Sequence, residues 1–167
     1  MSRLGAVLLV MICLLAYAGC SDEKTSDGAG APVATATPDT QIVYAEGFYD
    51  LERAPSGSWR WMERVGVVRL KNTGKEMRLK VVGNVPTDRF SQPPKMKIEL
   101  NGETLDEFSG LTVEKEYTIP AAKQGNKEYS DLRITSDQSF VPKEVDKNST
   151  DPRHLAFSLT QLVWQPK

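Results

Sequence analysis

Beyond Gln41 the chain alternates apolar and polar residues with a period of two. Met77-Arg78-Leu79-Lys80-Val81 and Met96-Lys97-Ile98-Glu99-Leu100 keep every apolar residue on one parity, the pattern of a strand with one buried face. Val65–Leu70, Leu111–Ile119, Asp131–Thr135 and Leu155–Trp164 follow the same pattern less regularly. In the last of these, Leu155, Phe157 and Leu159 share one parity while Leu162 and Trp164 take the other. A bulge near Thr160-Gln161 is expected to bring both sets to one face. Asn101-Gly102, directly after a strand, signals a tight turn, and Lys71-Asn72-Thr73-Gly74 reads as another hairpin connection. No segment past residue 41 keeps a helical period for three turns. Short strands separated by turn signals predict an all-β domain, an antiparallel β-sandwich of Ig-like or jelly-roll-like form, over residues 42–167. Two long loops are expected, Asn84 to Pro94 and Ser136 to Pro152. The second exceeds the usual length in compact domains, so it either carries function or packs along the sandwich edge.

The residues before 42 break the pattern. Arg3 precedes an apolar run from Ala6 to Leu15, and small residues then lead through Ala16-Tyr17-Ala18-Gly19 to Cys20. Charged, apolar and cleavage regions in this order make an export signal. The run falls short of the roughly 18–20 residues that a spanning helix needs, which favours a removable signal over a permanent anchor. Residues 21–41 are rich in Ser, Gly, Ala, Thr, Pro and Asp, with no aromatic residue. Such a segment cannot bury enough apolar surface to offset its ordering entropy and reads as a flexible tether. The Ala18-Gly19-Cys20 ending resembles the lipobox of bacterial lipoproteins, although Tyr17 stands where an aliphatic residue is usual. The resemblance implies a signal peptide at 1–19 and a lipidated Cys20 heading the tether at 20–41. It also implies anchorage to a membrane of the cell envelope on its extracytoplasmic side.

Charge and cysteine content narrow the function. Of 21 basic and 22 acidic residues, Arg3 and Lys24 against Asp22, Glu23, Asp27 and Asp39 lie before residue 42, leaving 19 basic and 18 acidic beyond it. A near-neutral domain argues against a nucleic-acid partner, which would need a basic face. The two cysteines, Cys13 and Cys20, both precede the domain. The domain therefore has no disulfide, thiol nucleophile or cysteine metal site, and must rest on its hydrophobic core.

Three groups of residues are candidates for chemistry. Trp59-Arg60-Trp61 follows Gly47-Phe48-Tyr49-Asp50-Leu51-Glu52. On a strand the two indoles share a face and Arg60 takes the other. The commoner role for such residues is core, expected for at least one of the two; exposed, the pair would stack on sugar rings. Asp151-Pro152-Arg153-His154 contains the single histidine. One histidine without a cysteine or carboxylate pattern makes no zinc site, and Asp151 and Arg153 are expected to fix the end of the long loop. Asp50 and Glu52 have the chemistry of a glycosidase pair, but such carboxylates are common on surfaces. No nucleophile setting such as Gly-x-Ser-x-Gly is present. No catalytic residue, metal or cofactor is expected. Asn148-Ser149-Thr150 is a glycosylation triplet only formally, and is discounted in a bacterial lipoprotein.

Gly47-Phe48-Tyr49, Trp59-Arg60-Trp61-Met62, Asn101-Gly102, Ser139-Phe140-Val141-Pro142 and Asp151-Pro152-Arg153-His154-Leu155-Ala156-Phe157 together resemble a β-sandwich domain found beside bacterial polysaccharide glycosyltransferases. This resemblance spans most of residues 46–164 and implies a non-catalytic accessory module that touches glycan. It supplies no binding residues of its own. The reading is then an anchored binding module that contacts envelope polysaccharide through Tyr49, Trp59, Arg60, Trp61 and Arg153. The alternative is a structural lipoprotein that offers a sheet edge or loop to another envelope protein. An exposed aromatic face would favour the first, and a long unpaired edge the second.

Overall fold

The structure is a computed structural model that describes residues 41–86 and 89–167. The expected signal peptide, Cys20 and the tether up to residue 40 lie outside the described residues. The described chain is all-β and antiparallel: β1 (Ile42–Ala54), β2 (Gly57–Lys71), β3 (Met77–Asn84), β4 (Lys95–Leu100), β5 (Glu103–Ser109), β6 (Thr112–Ile119), β7 (Tyr129–Ser136) and β8 (Phe157–Pro166). A 3-10 turn, Ala121–Gln124, precedes β7, and a single helical turn, α1 (Pro142–Val145), lies within the second long loop.

The architecture turns on β2. β1 pairs along its whole length, from Ile42 opposite Leu70 to Ala54 opposite Gly57. On the other edge β7 takes Val65–Lys71, whereas β8 takes Arg60–Met62. The sheet divides there into two wings, β7-β4-β5 and β8-β3-β6, which close on each other as a sandwich. Between them lies one core, including Met62, Val68 and Leu70 of β2, Ile98 and Leu100 of β4, Leu132 and Ile134 of β7, Leu79 and Val81 of β3, and Phe157, Leu159 and Trp164 of β8. The free ends of the wings are stitched by side chains: Tyr117 Oη donates to Asp106 Oδ2 at 3.2 Å and Lys115 Nζ lies 2.8 Å from the same oxygen. These contacts hold the Asp106 carboxyl below its ordinary value, chiefly through the Lys115 bond.

The expected bulge is present. Val82 faces Gln161 but Gly83 faces Leu159, so Thr160 is the additional residue and both apolar sets of β8 reach the core side. Asn101 and Gly102 have φ of 52° and 83°, the left-handed pair of a tight hairpin turn, and they join β4 to β5. The 71–74 connection is corrected. It is a crossover, since β2 and β3 are not paired with each other and β8 lies between them. Its course is pinned by the buried Gln124, whose Oε1 accepts from Thr73 N at 3.0 Å and whose Nε2 donates to Lys75 O at 2.5 Å. The buried Ser130 Oγ donates to Asn72 Oδ1 at 2.7 Å, and Asn72 Nδ2 donates to Gln124 O at 2.7 Å. Buried amides and hydroxyls are tolerated here because each finds a partner.

Candidate functional site

The parity of β2 decides which of its residues can meet a ligand. Met62, Val68 and Leu70 are fully buried, and a Cβ on Gly66 would lie 2.6 Å from Met62 Sδ and from the Phe48 ring. Met62, Gly66, Val68 and Leu70 therefore face the core, although Val67 between them is also buried. Trp59 and Trp61 fall on the other face and are half-buried. Neither belongs to the core, so the expectation of a core role for one of the pair is corrected. Trp61 stands opposite Ser158, and Ser158 opposite Asn84. The indoles, Asn84, Ser158, Thr160 and the β1–β2 turn residues Ser56, Gly57 and Ser58 line one open groove of about 480 Å³. Trp59 Nε1 is buried without a hydrogen-bond acceptor among the described residues.

β1 adds its own side chains to this face. Glu52 stands directly opposite Trp59, and residues so paired share a face. The strand reaches this register through irregularities at Tyr44/Glu46, Glu46/Phe48 and Phe48/Leu51. Gly47 makes the second possible: its φ is +66°, and a Cβ there would come within 1.8 Å of Val65 O, so only glycine fits. Tyr49 then donates from Oη to Glu63 Oε1 at 3.0 Å and approaches His154 O at 3.4 Å. Burial pushes its phenol above the ordinary value, and the Glu63 hydrogen bond and charge act in the same direction.

Arg153 joins the second long loop to this face. Its Nε and Nη2 donate to Asp151 at 3.0 and 2.7 Å, its Nη1 donates to Glu52 Oε1 at 2.7 Å, and its guanidinium lies 5.1 Å over the Tyr49 ring. Hydrogen bonding to Arg153 holds the Asp151 carboxyl below the usual carboxylate range, and the same pairing raises the arginine. All three side chains are partly exposed, so each pair contributes roughly 0.2–1 kcal/mol. The loop also lays Phe140 edge-on against Trp61, with centroids 6.3 Å apart, and Phe90 against Phe140 at 5.8 Å. A bridge between Phe140 and Leu155 closes it. The loop therefore packs on the sheet and walls one side of the indole pair, with Asp151 and Arg153 tying down its end.

Of the five residues read from sequence, Tyr49, Trp59, Trp61 and Arg153 come together on one face. Arg60 does not. Its guanidinium sits 4.5 Å over the Tyr44 ring and its Nη1 donates to Tyr49 O at 3.1 Å, on the core side of β2. Glu63, Asn84, Ser158 and Thr160 were missed as site residues, and Glu52 was read only as one of a glycosidase-like pair. Their signal is parity counted from Met62 and Phe157, combined with a register that spans up to 101 positions in the chain. Glu52 of the glycosidase-like pair is engaged by Arg153. Among the described residues no group of three or more His, Cys, Asp or Glu side chains is placed to hold a metal ion, and no helix is long and apolar enough to cross a membrane.

No family model matches the chain, and a search of curated proteins also finds no match. The resemblance to the domain beside glycosyltransferases therefore rests on its motifs alone. Among solved structures the chain is similar to one described as the native structure of a family 35 carbohydrate binding module from Clostridium thermocellum. The two share 12% identity at a TM-score of 0.41, over 77% of this chain and 100% of that one. So slight a likeness carries no functional argument.

Proposed function

We propose that the protein is an envelope lipoprotein whose β-sandwich is a non-catalytic saccharide-binding module. Cys20 is the lipidated residue, residues 21–41 the tether, and the membrane the partner reached through the acyl chains. The observation that carries the binding reading is the shared face of Trp59, Trp61, Asn84, Ser158 and Thr160 around an open groove. Flat indole surfaces suit the C–H faces of pyranose rings, and short hydroxyl and amide side chains beside them suit their hydroxyls. Tyr49, Glu52, Asp151 and Arg153 form the groove's rigid border rather than its floor.

The competing reading, a lipoprotein that docks a protein strand, would use an edge that no described strand covers, and the longest of these is the outer edge of β1. Three irregularities within thirteen residues break that edge, the arrangement that guards a sheet against strand addition. Two measurements test the proposal. Palmitate should label the wild type and fail to label Cys20→Ser; an unlabelled wild type removes the anchor. Native electrophoresis through gels containing polysaccharide should retard the wild type and release Trp59→Ala/Trp61→Ala. Equal mobility of both folded proteins in every gel removes the saccharide.

A further inference from the structure

We infer that the glycan bound by this groove is uncharged, a neutral polysaccharide rather than one built on uronic or other acidic sugars. The inference rests on the saccharide-binding reading and specifies its ligand. None of the eight residues lining the groove is ionisable as a cation or an anion: they are three serines, a glycine, a threonine, an asparagine and two tryptophans. A sugar carboxylate seated there would lose water without meeting a cation, and burying an unpaired charge is strongly unfavourable.

The border gives no relief. On the β1 side each of the three nitrogens of Arg153 already donates to Asp151 or Glu52, and Arg53, opposite the lining Ser58, stands exposed outside the groove's lining. Glu63 stands on the same face, bound to Tyr49. Three carboxylates thus oppose two guanidinia on this border, and an acidic polymer would still approach an excess of negative charge. Arg60, the cation nearest in sequence to both indoles, is held on the opposite face of β2 beneath Tyr44. On β3, Lys80 is occupied by Glu114 at 2.7 Å. An asparagine and hydroxyls that both donate and accept are what a neutral sugar's hydroxyls require.

The test uses the full chain in detergent, run in native gels containing neutral polymers (dextran, mannan, β-glucan) or uronate polymers (alginate, polygalacturonate, hyaluronan). Gels are run at low salt and at about 150 mM, where exposed charges more than a Debye length apart are largely screened. The expected result is at least several-fold retardation by one or more neutral polymers, little changed by salt, with no retardation by any uronate. Trp59→Ala/Trp61→Ala should abolish it. Should that variant not fold, protection of wild-type tryptophan fluorescence from iodide by the retarding polymer reads the same point. Retardation by a uronate that is relieved by salt and lost in the tryptophan variant would overturn the neutral ligand while leaving the groove as the site. Neutral retardation that survives the variant, or is accompanied by no fluorescence protection, would overturn the groove. No retardation of the folded wild type by any polymer would overturn the saccharide reading itself.

Discussion

The three tryptophans of this chain occupy two opposite situations. Trp164 is 4% exposed, and its Nε1 donates to Lys71 O at 2.8 Å, tying the end of β8 across the core to the end of β2. Trp59 and Trp61 are half-buried on the outer face, and Trp59 Nε1 has no described acceptor. Burying a large aromatic ring with its N–H satisfied contributes to stability. Two such rings left partly in water beside an open groove contribute less to the fold than Trp164 does, and they are the feature on which the proposed binding face rests. The difference between the two situations is one of strand parity, not of residue chemistry.

The sharpest way to break the contrast is to delete Thr160. Without the additional residue of β8, Leu159 and Trp164 cannot both face inward, and a slip of one residue turns a whole set of side chains to solvent. The deletion variant should fail to give a cooperative melt. A variant with an unchanged melting temperature would show that the bulge does not set the parity of β8.

Trp164→Ala follows, with an expected cost of about 3–5 kcal/mol, a large part of a stability that is commonly 5–15 kcal/mol. Urea unfolding measures it. Trp59→Ala and Trp61→Ala, made singly, should each cost less than the core change, about 2–3 kcal/mol for their shallower burial, while the double variant loses glycan retention. If either single change costs more than Trp164→Ala, the assignment of faces is reversed.

The smallest effect concerns the border. Arg153→Ala leaves Asp151 and Glu52 unpaired, at a cost expected below about 1 kcal/mol for such exposed groups. It is distinguishable by its pH dependence. The folded Asp151 carboxyl lies below its ordinary value of 3.8 because of Arg153, so the pairing stabilises the fold above that value and is lost as pH falls through the folded one. The stability gap between wild type and variant should be full near neutrality and close in acid. A gap that widens in acid would contradict this pairing.

Much of the fold was legible along the chain. Regular alternation in Met77–Val81 and Met96–Leu100 needs only local parity, and Asn101-Gly102 needs only the left-handed tolerance of those two residues. The phase change between Leu159 and Leu162 likewise announced the bulge at Thr160. β1 and β5 were less visible. Three irregularities scramble the alternation of β1, and a register shift at Ile98/Glu99 disturbs the pairing of β5 with β4.

That Trp59 and Trp61 share a face, with Arg60 opposite, was determined by the two-residue repeat of a strand. Which face is outer was decided by the fold. Alternation is symmetric under exchange of faces until one face is covered, and here the cover on the even positions is the core side chains of the facing wing. Counting from Met62 to Val68 and Leu70 would have chosen the right face, but large aromatic residues at the odd positions outweighed that signal. The second partner of Arg153 was beyond reach of any local rule. Glu52 lies 101 positions away, and only the pairing of β1 with β2 and the return of the loop before β8 bring the two within hydrogen-bond distance.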